Sequence, residues 1–111
     1  MALEGFSKSE KKTLRELAGQ AYRAELNAEL MSLFEAFQAW HKEELDPFEL
    51  SDKIHDFHQG AARELYNRYH ERWADMTVSR ALALGLLDDE GLSEALREKL
   101  TPKRDFFEHE A

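Results

Sequence analysis

The stretch "ELDPFEL", residues 44–50, decides the fold, because it ends one helix and begins another. Asp46 can cap a helix, Pro47 suits its first position, and Glu49 can close a capping box. Proline also disfavours helical geometry in the residue before it, so the preceding helix should end at Asp46. A turn this short makes the two helices antiparallel neighbours. The stretch therefore predicts a helical hairpin.

The segments on either side of this turn read as long helices, at about residues 7–45 and 47–84. "SKSE" places Glu10 three residues after Ser7, which is typical of a capping box at a helix start. Gly85 is the expected C-terminal cap of the second helix. Leu, Ala, Glu, Arg and Lys dominate both segments, and β-branched residues are scarce. The fold class we predict is all-α, in a single domain spanning residues 1–111.

The C-terminal part predicts a short third helix at about residues 89–100, followed by a tail, 102–111, that is either frayed or docked. The second helix has an alternative reading, because Thr77 or Ser79 could start a fresh helix. A break at residues 75–79 would fold the chain back into a compact monomeric bundle.

Apolar residues on the first helix form two stripes, which suggests packing neighbours on more than one side. One stripe consists of Leu14, Leu17, Ala18, Ala21 and Tyr22. The other, rotated from it, consists of Leu26, Leu30, Leu33, Phe37 and Trp40. A bare hairpin cannot cover both, and the third helix is too short to do so. We therefore expect a homodimer, in which two hairpins form a four-helix bundle through an interface that includes Leu26, Leu30, Phe37 or their neighbours.

Composition narrows the classes of partner. The chain of 111 residues has no cysteine, which excludes disulfides and thiolate ligands. Its net charge of −8 disfavours nucleic acid, which requires a positive surface. No apolar run is long enough for a signal peptide or a membrane span. We expect a cytoplasmic protein without a membrane or nucleic-acid partner.

Two histidines and two acids form a candidate metal site near the predicted turn. Folding the hairpin about Asp46 brings His41 and Glu44 close to Asp52 and His55, and each pair is spaced to share a helical face. Two imidazoles and two carboxylates could hold zinc, manganese or iron. The alternative is a solvated acidic tip whose charges complement the helix dipoles.

Five further polar residues fall on or beside the apolar faces. His58 lies within the apolar stripe of the second helix, and we expect it to be a neutral residue in the core. Glu25 and Glu29 should pair with Arg68 and Arg72 at the edge of the core.

No pattern in the sequence identifies a reaction. The hydroxyl residues show no nucleophile motif, and no glycine-rich phosphate loop is present. The reading we favour is a non-enzymatic binding or scaffold protein that acts through protein contacts. The alternatives are a metal-binding helical bundle, without another cofactor, and a regulator that binds a small ligand.

Overall fold

The computed structural model describes residues 3–110, and within them every regular element is a helix. The α-helices are α1 (Lys8–His41), α2 (Pro47–Asp56), α3 (Ala62–Glu71), α4 (Ala74–Ala83) and α5 (Glu94–Glu110). One π-helical turn, Phe57–Ala61, joins α2 to α3 without a break. The predicted all-α class is confirmed.

Helix α1 begins where the sequence predicts and ends earlier. The Ser7 N–H donates to Glu10 Oε1 at 2.8 Å, and the Glu10 N–H donates to Ser7 Oγ at 3.0 Å, which completes the capping box. The predicted end at residue 45 is wrong, because Glu43 has a φ of 63°. The Glu44 N–H then donates to the Ala39 carbonyl at 2.8 Å, as in a Schellman motif.

The turn at residues 42–46 starts α2 as predicted. Asp46 is the N-cap, Pro47 is the first helical residue, and the Phe48 N–H donates to Asp46 Oδ1 at 2.8 Å. Helices α2 and α3 then lie beside α1, since both contact it. This contact places the second half of α1 next to the chain that follows the turn.

The predicted single helix over residues 47–84 is wrong, because Arg72 and Trp73 interrupt the helix. Both residues are extended, with ψ near 150°. This break lies a few residues before 75–79, the position of the break in the alternative prediction. Thr77 and Ser79 do not cap a helix there but are buried inside α4, where the Ser79 hydroxyl donates to the Asp75 carbonyl at 2.7 Å. The change of direction turns α4 onto both α1 and α5.

The third predicted helix is displaced towards the C-terminus. It starts at Glu94 rather than 89, after Ser93 Oγ accepts from the Leu96 N–H at 3.1 Å. It continues through Pro102 to Glu110, so the predicted tail is helical over its described part; residue 111 lies outside it. Gly85, with a φ of 78°, follows α4 as the predicted C-terminal cap.

The main core lies at one end of the molecule. Six buried side chains from α1, α4, α5 and the loop before α5 form it: Leu14, Val78, Leu82, Leu92, Leu96 and Leu100. We call this region, residues 8–21 and 74–104, the packed end. We call residues 22–71 the arm, and its outer end, residues 35–56, the tip. Only Leu50 and Leu65 are buried apolar residues of the arm.

Candidate functional site

The best-developed polar cluster joins the arm to the packed end and is centred on Glu25. Tyr69 Oη donates to Glu25 Oε2 at 2.6 Å, and Arg68 Nη1 lies 3.3 Å from Glu25 Oε1. Arg80 Nη1 lies 3.1 Å from the same oxygen. Tyr69 also stacks on Tyr22, with ring centroids 4.8 Å apart. One carboxylate thus connects α1, α3 and α4.

The pKa values of this cluster follow from its contacts. Burial alone would raise the pKa of Glu25, but hydrogen bonds from Tyr69 and Arg80, and the charges of Arg80 and Arg68, outweigh burial and lower it. Burial raises the pKa of Tyr69, and the hydrogen bond to Glu25 raises it further. Glu25 is therefore a carboxylate held by two cations and a hydroxyl. These contacts tie the arm to the packed end through one charged side chain.

The predicted ion pairs are present only in part. Glu25 meets Arg68 as the antiparallel arrangement requires. Glu29 and Arg72 are exposed, so their placement at the core edge is wrong. Sequence reasoning missed Tyr69 and Arg80. Arg80 reaches Glu25 only because the break at residues 72–73 redirects α4, and no motif in the sequence signals that contact.

The prediction that His58 is a core residue is wrong. His58 is exposed and lines a shallow cleft of about 530 Å³ with Tyr22, Leu26 and Tyr66. On a wheel of 100° per residue counted from buried Leu50, Phe57 falls about 20° away and His58 about 80° away, so His58 lies at the margin of the buried face. Phe57 takes the half-buried position instead.

The four candidate metal ligands, His41, Glu44, Asp52 and His55, are all exposed. Within residues 3–110, no three side chains of the His, Asp and Glu types lie close enough together to hold a metal ion. The acidic residues around them nevertheless give the tip seven carboxylates against two lysines.

Exposed apolar side chains follow one side of the arm. On α1, Leu30 and Phe37 are 42% and 40% exposed, and half-buried Leu26 lies one turn before Leu30. Leu26 also lines the cleft that contains His58, Ala62 and Tyr66 on the neighbouring helix. We call these six residues the arm face. It is a largely apolar surface formed by two adjacent helices. Such a surface is better suited to contact with another protein than to catalysis.

A second cleft lies where the helix breaks. It encloses about 470 Å³ and includes Arg15, Gly19, Tyr22, Tyr69, Arg72 and Trp73 in its lining. We call it the break cleft. Neither Arg15 nor Arg72 forms an ion pair with another described residue. The break cleft therefore offers aromatic walls and the two guanidiniums of Arg15 and Arg72.

No helix in the described part of the chain is both long and apolar enough to cross a membrane. Comparisons of the chain with protein-family models, curated proteins and solved structures gave no match.

Proposed function

We propose that this protein is an assembly module that acts through protein contacts, and that the arm face binds a second copy of the chain. In this dimer the two arms are helical hairpins that pack together as a four-helix bundle. The observation that carries the proposal is the exposed apolar surface of the arm, with Leu30 and Phe37 both at least 40% exposed on a long helix. Apolar patches of this kind are typical of interaction surfaces.

The extent of the exposed surface supports a partner of substantial size. The accessible surface is 7845 Å². A compact monomer of this mass should expose about 6,300 Å². The excess, about 1,500 Å², exceeds the roughly 800 Å² that each partner contributes to a standard interface. The radius of gyration of 17.4 Å also exceeds the value of about 13 Å for a compact chain of this length.

A second copy is favoured over an unrelated partner because the arm supplies half of a stable architecture. Two adjacent helices with an exposed apolar side need two more helices to close a core, and a twofold axis provides them from an identical surface. The interface is then self-complementary. Leu26, Leu30 and Phe37 of each copy would face the same residues of its partner.

The experiment is sedimentation equilibrium of the protein and two variants. The parent chain should sediment at twice the 12.9 kDa chain mass at micromolar concentration. Leu30→Glu should yield monomer, because it places a charge in an apolar interface. Phe106→Glu is the matched control, since Phe106 is exposed on α5, outside the arm. It should leave the dimer intact.

A parent mass of 12.9 kDa would overturn the proposal. Equal loss of dimer in both variants would also contradict it, because the interface would then not be specific to the arm. Circular dichroism of each variant should show unchanged helix content, which separates loss of contact from loss of fold.

A further inference from the structure

We infer that the tip of each copy docks into the break cleft of the other, with Phe48 entering between the arginines and aromatic rings of that cleft. The inference rests on the proposed dimer and gives it a direction and a register. The two copies must run antiparallel for this contact to form. Each dimer then contains two identical tip-to-cleft contacts.

The break cleft and the arm face lie on the same side of α1. Counted from Gly19, Leu26, Leu30 and Phe37 follow at intervals of 7, 11 and 18 residues. At 100° per residue these positions fall within about 40° of one another. A partner helix that covers Leu26 and Phe37 therefore continues over Gly19. The cleft is an extension of the proposed interface.

The position of the apolar residues sets the register. Leu26, Leu30 and Phe37 are centred near residue 31, and an antiparallel twofold axis there places residue 19 level with about residue 43 of the partner. Residue 43 belongs to the turn between α1 and α2, four residues before the start of α2. The contact that buries the arm face thus brings the partner's tip to the break cleft.

Charge favours the antiparallel direction. The tip has a net charge of −5, from seven carboxylates and two lysines. In a parallel dimer two such tips would be adjacent and would repel each other. In the antiparallel dimer the centres of the two tips lie about 30 Å apart along the helix, well beyond a Debye length of about 8 Å at physiological salt. Each tip instead approaches Arg15 and Arg72, which have no other partner among the described residues.

The chemistry of the tip matches the cleft. Phe48 is 80% exposed, and Asp46 and Glu49 carry carboxylates on either side of it. The cleft provides the rings of Tyr22, Tyr69 and Trp73 for an aromatic side chain and two guanidiniums for the flanking acids. A Cβ at Gly19 would meet nothing within 4 Å, so the floor of the cleft is open.

The absence of cysteine makes crosslinking a direct test. We would prepare Gly19→Cys and Glu44→Cys as separate variants, mix them, and treat them with a short bismaleimide. The mixture should give a covalent dimer that neither variant gives alone. A covalent dimer from Glu44→Cys alone would place two tips together. That result would overturn the inference while the proposed dimer stood.

A second measurement tests the cleft chemistry. Phe48→Ser should raise the dimer dissociation constant at least tenfold, whereas Phe106→Ser, at another exposed phenylalanine, should change it less than twofold. Arg72→Glu should weaken the dimer, and Glu49→Lys in the same chain should recover part of the loss. An unchanged dissociation constant in Phe48→Ser, with the parent dimeric by sedimentation, would overturn the docking alone. A monomeric parent would overturn the dimer itself.

Discussion

Helix α1 is a single helix with two different surroundings. Leu14, in the packed end, has no exposed surface, whereas Leu30, four turns and more along the same helix, is 42% exposed. Helices α4 and α5 cover the first residue, whereas the described chain leaves nearly half of the second uncovered. The two regions differ in the neighbours of the helix rather than in its residue types.

This difference in burial indicates that the packed end is stabilised within one chain to a greater extent than the arm. The packed end buries six large or branched apolar side chains in one cluster, which is enough to order the helices that contribute them. In the arm only two apolar side chains, Leu50 and Leu65, are buried. Helices owe most of their stability to packing of an apolar face, so the arm should gain stability when that face is covered.

The largest contrast should come from two leucine truncations. Leu96→Ala removes a side chain that is 2% exposed in the packed end and should cost about 2–5 kcal/mol at every protein concentration. Leu30→Ala should cost less than about 1 kcal/mol in dilute protein, because its side chain already meets water. Urea unfolding over a range of concentrations measures both. Equal costs in dilute protein would mean that the two regions are packed alike.

The next effect concerns the cluster that joins the two regions. Glu25→Ala leaves Arg68 and Arg80 partly buried without their carboxylate and should cost about 1–3 kcal/mol. Glu29→Ala is the matched control on the same helix, and as an exposed position it should change stability by less than about 0.5 kcal/mol. Chemical denaturation of both variants checks this. Similar costs would show that Glu25 does not couple the arm to the packed end.

The features that the sequence predicts well are those determined by local chemistry. Ser7 and Glu10 specify the start of α1, Asp46 and Pro47 specify the turn, and Gly85 has the positive φ expected of a cap. Each depends on residues within a few positions of one another. The all-α class follows from composition in the same way.

The features that the sequence misses depend on distant contacts. The apolar stripe that contains Ile54 places His58 in the core, but packing buries Leu50 and Leu65 instead and leaves both Ile54 and His58 exposed. The break at Arg72 lacks proline or glycine, and it forms where α4 can pack against α1 and α5. Glu25 and Arg68 were predictable from the antiparallel register, but Arg80 joins them only after the break.

A smaller effect on the free energy of unfolding should appear at acidic pH. The pKa of Glu25 in the folded protein lies below its ordinary value of 4.5, so its contribution to stability is complete above that pH. The contribution is lost as the pH falls through the lowered pKa, since protonation removes the charge that Arg68 and Arg80 require. Unfolding free energies between pH 6 and pH 3 should therefore fall less steeply in Glu25→Gln than in the parent chain. Glu29→Gln should retain the parent slope, and a parallel shift of both variants would contradict the assignment.

The smallest changes in stability should come from two glycine-to-alanine substitutions, with opposite signs in the packed end and the arm. Gly85, in the cap that ends α4, has a φ of 78°, so Gly85→Ala forces an L side chain into the left-handed region and should cost about 1 kcal/mol. Gly60 lies in the π-helical turn of the arm, where its φ is not positive and a Cβ would meet nothing within 4 Å. Gly60→Ala should therefore stabilise the chain by about 0.5–1 kcal/mol, because alanine loses less backbone entropy on folding. Thermal unfolding of both variants measures the difference. Destabilisation by Gly60→Ala would show that the π-helical turn needs glycine, and that the arm is as constrained there as the packed end is at Gly85.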